Sequence, residues 1–331
     1  MELVCPAGNL PSLKAAVDNG ANAVYMGLRD ATNARHFPGL NFDRARAASG
    51  IDYAKSKHVK VFMAINTYPQ ATNWQDWQQT VDIAANLGVD ALIVADIGVL
   101  DYVANRWPKL PLHLSVQASA TNYESLHFYQ EQFGIRRAVL PRVLSVAQVR
   151  HICANSPVAI EVFGFGSLCV MVEGRCLLSS YVTGQSPNTY GACSPAEWVE
   201  WRDTSSGLES RLNGVLTDRY GVGEEAGYPT ICKGRYQVGD ATYYAIEEPT
   251  SLNTLELLPE LIEMGISAIK IEGRQRSPAY VAQVTAIWRQ AIDACQHNPS
   301  EYKVLPDWTR TLSGVAEGST TTLGAYSRPW Q

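Results

Sequence analysis

"EVFGFGSLCVMVEGRC", residues 161–176, decides how this chain is read. It opens as an apolar run, passes through Gly164 and Gly166, and then delivers two thiols, Cys169 and Cys176. An unbroken apolar run of this length reads as a strand buried on both faces, which is the habit of a parallel sheet covered by helices.

Seven more runs of the same kind lie on either side of it. They are "LVCPAG" (3–8), "AVYMGL" (23–28), "KVFMAIN" (60–66), "ALIVAD" (91–96), "LHLSVQAS" (112–119), "AVLPR" (138–142) and "AIKIEGR" (268–274). Helical stretches such as "NWQDWQQTVDIAANLG" (73–88) and "SVAQVRHICANS" (145–156) separate them. Eight such strands alternating with helices predict a (β/α)₈ TIM-like barrel rather than an open dinucleotide-binding sheet. The alternation breaks once. After 166 the next helical stretch is "SLNTLELLPELIEMG" (251–265), and a loop that long needs structure of its own. The reading is therefore four parts: 1–166 with the first seven strands, and 167–250 as a small β-rich, cysteine-bearing insertion over the mouth. The last barrel strand and its helices take 251–299, and 300–331 is a C-terminal extension. The C-terminal face of the strands is where barrels keep their sites.

The 331 residues are 46% hydrophobic and 18% charged, enough for a sizeable core and too apolar for a disordered chain. A net charge of −5 counts against a general nucleic-acid binder, which needs a basic face. "MELVCPAGNLPSLKAAV" has no basic stretch leading into an apolar one, and no apolar run reaches the roughly 18 residues that span a bilayer. The expectation is a cytoplasmic protein without a transmembrane segment. Seven cysteines, an odd number, in a reducing compartment favour metal or redox use over disulfides.

Cys169, Cys176, Cys193 and Cys232 fall at the end of the seventh strand or inside the insertion. Their spacing matches neither a zinc ribbon nor a small ferredoxin. Their neighbours "GSLC", "EGRC", "GACSP" and "CKG" are small or turn-forming, so the backbone can fold closely about sulfur. These four read as metal or cluster ligands. Cys153 and Cys295 lie in helical stretches and read as packing residues, and Cys5, fixed by Pro6, is read the same way. Polar residues at the predicted strand ends are Asn66, Asp96, Gln117, Ser119, Arg142, Glu161, Glu272 and Arg274. Asn66, Gln117, Arg142, Glu272 and Arg274 are the candidate substrate contacts, and Glu161 with His36 the candidates for proton transfer.

The pattern Glu161-x-Phe163-x-x-Gly166-Ser167-Leu168-Cys169, continuing as Gly174-x-Cys176-x-Leu178-Ser179, resembles the signature of the U32 peptidase-like family. The similarity extends through "CPAGN", "SPNTYGACSPA", "CKGRY", "EEPTSLNTLELLPEL" and "IKIEGRQRSPAYV", with no departure at the four cysteines. Within that family the chain is most similar to the ubiquinone-biosynthesis branch. The resemblance implies a [4Fe–4S] cluster on Cys169, Cys176, Cys193 and Cys232 and oxygen-independent ring hydroxylation of a ubiquinone precursor. It further implies prephenate as oxygen donor and a homologous partner subunit, UbiV, in a heterodimer, with no nucleic acid. Three other readings stay open: an RNA-base hydroxylase of the same family, a peptidase, and a zinc-stabilised module without catalysis. The peptidase lacks H-E-x-x-H and G-x-S-x-G, though a pairing of Cys5 with His36 or His113 is conceivable. Four thiolates suit zinc as well as they suit a cluster.

Overall fold

The computed structural model describes residues 1–328. Seven parallel strands follow one another in chain and in space: β1 (Glu2–Pro6), β2 (Ala23–Met26), β3 (Lys60–Ile65), β4 (Ala91–Val94), β5 (Leu112–Leu114), β6 (Arg137–Val139) and β7 (Ala159–Ser167). Helices α1 (Leu10–Asp18), α2 (Arg44–Ser56), α3 (Trp74–Asn86), α4 (Ile97–Arg106), α5 (Tyr123–Phe133) and α6 (Val146–Asn155) cross between them. Their starts are written locally. Asn9, Asp43, Asp96, Asn122 and Ser145 each accept a first-turn backbone N–H, and Ser145 with Gln148 makes a complete capping box.

Beyond β7 come two short helices, α7 (Leu178–Thr183) and α8 (Pro187–Tyr190), and then an antiparallel meander, β8 (Val199–Thr204), β9 (Gly207–Leu212) and β10 (Val215–Tyr220). A hairpin follows, β11 (Arg235–Val238) with β12 (Ala241–Tyr244). The chain returns through β13 (Ser251–Asn253) and α9 (Leu258–Glu263) to β14 (Ala268–Ile271), which pairs in parallel with both β7 and β1 and closes an eight-stranded barrel. α10 (Pro278–His297) and α11 (Pro306–Val315) then lead to β15 (Thr321–Thr322).

The stretch 251–265 departs from its predicted helix. Ser251–Asn253 lies antiparallel on the overhang of β7, opposite Phe165–Ser167, and the Thr254 N–H donates to the Gly164 carbonyl at 2.9 Å. Those bonds hold the backbone extended, and the regular helix starts at Leu258, ahead of Pro259 in its first turn. The predicted C-terminal extension is ordered up to Arg328, with Trp308 and Leu312 of α11 buried in the core; residues 329–331 of it lie outside the described residues.

The main core lies between strands and helices, with Trp77, Trp288, Leu3, Met26, Met63 and Leu92 fully buried. A second apolar cluster, including Val4, Tyr25, Phe62, Ile93 and Ala268, fills the barrel itself, so the barrel is packed and not a pore. No helix among the described residues is long and apolar enough to cross a membrane.

Candidate active site at the barrel mouth

β7 outruns its neighbours and carries the chain over the mouth. At Gly166 φ is +125°, a value that favours glycine, and a side chain there would collide with Glu272. At Gly174 φ is +91°, and a side chain would overlap the Gln117 carbonyl. The loop between these glycines places Cys169, and Cys176 follows directly. Cys193 comes from the turn after α8, and Cys232 from a single turn at Ile231–Lys233.

All four cysteines line one cavity of about 530 Å³, together with Arg35, Gln117, Arg142, Glu173, Lys233 and Glu272. Burial pushes the Cys169 thiol up to about 12, with Glu173 adding to the rise and Arg142 opposing it. Burial likewise lifts Cys232 to about 11 and raises Cys176. Cys193 is an electrostatic neighbour of each of these three, so the four thiols form one group. The Met171 N–H opposes that rise at Cys169, and the Leu178 and Ser179 N–H groups oppose it at Cys176. N–H donors to sulfur of this kind surround iron–sulfur clusters. Among the described residues, no three His, Cys, Asp or Glu side chains converge on a point that a single ion would fill.

Charged groups alternate around the cavity. Arg142 Nε donates to Glu173 Oε1 at 2.6 Å, its guanidinium lies 4.4 Å from the Phe163 ring centre, and it also reaches the Ser167 carbonyl. Glu272 accepts the Ser167 N–H at 3.3 Å and faces Arg35 Nε at 3.5 Å. Burial works against ionisation of Glu272, yet Arg35 and Arg142 hold its carboxyl below the usual carboxylate range. Lys233 bonds Ser167 Oγ and Glu317.

Of the residues picked from the sequence, Gln117, Arg142 and Glu272 line the cavity with the four cysteines. Asn66, Arg274, His36 and Glu161 do not. Asn66 accepts the Ala34 N–H at 2.9 Å and donates to Ser115 Oγ at 3.0 Å. Arg274 is buried and donates to Asn33 Oδ1 at 2.9 Å and to the Ala34 carbonyl. Both therefore brace the loop that presents Arg35 instead of touching the cavity. His36 packs beside Gly191. Glu161 sits within the barrel between Lys270 and Arg137, at 2.8 and 3.1 Å. Cys5 is fully buried and accepts from Thr285 at 3.3 Å; burial pushes its thiol up to about 12. It pairs with neither His36 nor His113.

Arg35, Glu173 and Lys233 escaped the sequence reading. Strand-end position is the only signal used there for charged residues, and all three lie on loops or turns. "NARHFPG" contains Arg35, yet nothing in that string separates it from His36.

A family model described as peptidase family U32 matches residues 8–329. The chain is 31% identical to "tRNA hydroxylation protein P1" of Bacillus subtilis, over 97% of this chain and 70% of that protein. It is 31% identical to "tRNA hydroxylation protein P" of Escherichia coli, over 95% of this chain and 72% of that one. It is 28% identical to a "Collagenase" of Porphyromonas gingivalis, over 95% of this chain and 70% of that protein.

Proposed function

The chain belongs to peptidase family U32, and from that premise and its cysteine-lined mouth we propose that it is an iron–sulfur hydroxylase acting on an aromatic ring without molecular oxygen. In this reading Cys169, Cys176, Cys193 and Cys232 hold a [4Fe–4S] cluster. The ring belongs to a ubiquinone precursor, prephenate is the oxygen donor, and a homologous subunit of the UbiV kind completes a heterodimer.

One observation carries the reading: four half-buried cysteines, none of them in a disulfide, line a single cavity at the barrel mouth. Four thiolates suit a [4Fe–4S] cluster and equally one zinc ion, whose four sulfurs must all lie about 2.3 Å from it, so metal and sulfide content separates the two. When bound, a cluster with every iron held by thiolate supplies one-electron transfer and no vacant position for substrate. The chain's own residues do the rest. Arg142, fixed by Glu173 and Phe163, and Glu272, fixed by Ser167, hold alternating charge around the space and orient a polar ligand. The insertion covers the cavity and limits water, which strengthens each of those contacts. Peptidase chemistry has no support in Cys5, which is sealed in the core with Thr285.

A second reading, hydroxylation of an RNA base, is favoured by the names of the two tRNA hydroxylation relatives. The test has two arms. Protein purified without oxygen is expected to contain about four iron and four sulfide per chain, largely lost in Cys176→Ala. Zinc without sulfide would sink the cluster. Cells lacking the protein and grown without oxygen are expected to lose ubiquinone while keeping hydroxylated tRNA nucleosides. The reverse pattern would establish the RNA reading.

A further inference from the structure

Two stretches of chain on the cavity wall are held very differently. Residues 314–319 are tied through Glu317, whose carboxylate takes Lys233 and Ser167 Oγ while its N–H reaches Ser251 Oγ at 2.9 Å. The other stretch joins the end of β10 to the turn that carries Cys232. Its residues 221–228, "GVGEEAGY", are all exposed, between buried Tyr220 and buried Pro229. Glu225, Ala226, Gly227 and Tyr228 nevertheless line the cavity. The wall there is one chain thick, with solvent outside and the cavity within.

Local bonding leaves this stretch free to move. Its one internal backbone bond is a turn, from the Glu224 N–H to the Gly221 carbonyl at 3.1 Å. Among the described residues, the N–H groups of residues 225–228 meet no protein acceptor. The Tyr220 hydroxyl reaches the Gly227 carbonyl only at 3.5 Å. Gly223 has φ +81°, and a side chain at Gly223 or Gly227 would meet nothing within 4 Å. Val222, between two glycines, is fully exposed. A segment with a solvated backbone and few packing contacts lies at the low end of local stability.

Its closed position depends on one side chain. Tyr228 stands edge-on to Phe37, with ring centres 6.3 Å apart and planes at 87°, and its hydroxyl donates to the Ser194 carbonyl at 3.0 Å. Phe37 belongs to the loop after β2 that presents Arg35, on the barrel side of the mouth. Ser194 is fully buried and directly follows Cys193. Tyr228 thus fastens the stretch both to the barrel and to a segment that carries one of the thiols. Glu224 also meets Arg235 at 2.9 Å, but that pair joins two parts of the insertion and not the two sides of the mouth.

We propose that residues 221–228 are a hinged lid over the cysteine-lined cavity, latched by Tyr228 against Phe37 and the Ser194 carbonyl, and that bulky ligands reach the cavity when this latch opens. Lids of this kind admit a ligand and then close over it, and the positions that absorb the motion are a few loop residues such as these glycines. The lid goes beyond the function proposed above. It concerns the way in, and it stands whichever metal the cysteines hold and whichever ring is hydroxylated.

The test is access to the mouth thiols in the full chain, stripped of metal and kept reduced. Iodoacetamide is the small probe and fluorescein-5-maleimide the bulky one, with each cysteine followed by peptide mass spectrometry. Tyr228→Ala is expected to speed labelling of Cys169 and Cys193 by the maleimide about tenfold, and by iodoacetamide far less, because it removes the ring contact and the hydrogen bond together. Tyr228→Phe and Phe37→Ala each remove one of the two and should speed the maleimide by roughly threefold to fivefold. Gly221→Ala combined with Gly227→Ala should slow the maleimide, since neither glycine has a left-handed φ, both have room for a methyl, and the change stiffens the loop. Cys153, on α6, should label at the wild-type rate throughout. Maleimide rates in Tyr228→Ala equal to wild type overturn the lid and put the entrance elsewhere. Equal acceleration of both reagents overturns it too, because Tyr228 would then hold the insertion together instead of a gate; faster labelling of Cys153 would trace that result to general loosening. Glycine replacements that leave the maleimide rate unchanged overturn the hinge.

Discussion

At Glu161 two cations share one buried carboxylate: Lys270 Nζ bonds Oε1 at 2.8 Å and Arg137 bonds Oε2 at 3.1 Å. Arg137 continues to Glu2 at 2.5 Å, and Glu2 to Lys60 at 2.6 Å. Burial alone would raise Glu161, but Lys270 and Arg137 hold it ionised below its usual range. Breaking such a network from one side is expensive because the surviving charge stays buried. Lys270→Met is expected to cost about 3–5 kcal/mol, read from urea unfolding, and a second change of Glu161→Leu should recover much of it. His113 lies on the same interior wall, 4.7 Å from the Phe62 ring centre. Burial, helped by Arg137 and opposed by Glu161, lowers its pKa from 6.5 to about 3. The sign follows from proton uptake. Below pH 6.5 the unfolded chain binds a proton that the folded chain refuses, so stability falls as the pH drops from 6.5 towards 3, by up to about 1.4 kcal/mol per pH unit. Urea midpoints at pH 7 and pH 5.5 should therefore differ less in His113→Phe than in wild type. Equal differences would place the acid sensitivity of that window elsewhere, and not at Glu161 or Glu2, whose lowered pKa values cost stability only once the pH falls below the ordinary carboxylate value of 4.5.

Among the elements, β7 carries most of the argument, and its glycines are its weak points. A methyl at Gly164 would sit 2.5 Å from Ile269 Cγ2 and 2.7 Å from Trp288 Cη2, both in the core. Gly164→Ala is expected to destabilise by about 1–3 kcal/mol through overpacking, visible as a lower melting temperature. An unchanged melting temperature would mean that α10 can back away from the strand. The eight barrel strands are legible in the sequence because burial on both faces writes them as unbroken apolar runs. β13 and β15 are not, because each is only two or three residues long and becomes a strand through pairing alone, β13 with the overhang of β7 and β15 with β13. The helix read over 251–265 has a definite source: Leu252, Leu255, Leu258 and Leu261 keep a three-residue spacing that imitates a helical stripe. Leu252 nevertheless packs with Phe163 and Leu168 as part of the sheet. In the candidate site, residue type and flanking glycines single out the cysteines. Arg35 is invisible because its selection rests on a left-handed φ and on hydrogen bonds from distant segments. Arg142 and Arg274 occupy equivalent strand ends, and only the folded chain shows that one lines the cavity while the other braces a loop.

On the scale of the whole molecule, the C-terminal segment ties the insertion down onto the barrel. α11 is anchored by Trp308, whose Nε1 donates to Gln290 at 3.2 Å, and Arg276 bonds the Val315 carbonyl at the end of that helix. The chain then crosses the mouth, where residues 314–319 line the cavity. Glu317 is the knot. Its carboxylate takes Lys233, next to Cys232, and Ser167 Oγ at 2.9 Å, while its N–H donates to Ser251 Oγ at 2.9 Å. Lys233 is 7% exposed, so removing Glu317 leaves its ammonium nearly buried with only Ser167 to receive it. A charge-assisted bond of this kind contributes about 1.5–3 kcal/mol, and losing it should raise the population of locally opened mouth by about tenfold or more. Glu317→Ala is therefore expected to quicken labelling of the mouth cysteines by a thiol reagent in metal-free protein, and iron release to a chelator in protein prepared without oxygen, by a similar factor. Asp307→Ala, which breaks an ion pair with Arg310 that is 78% and 85% exposed, should change neither rate. Equal rates in Glu317→Ala and wild type would show that the insertion holds its place over the thiols without the C-terminal strap, leaving the turn at Ile231–Lys233 to keep Cys232 in position on its own.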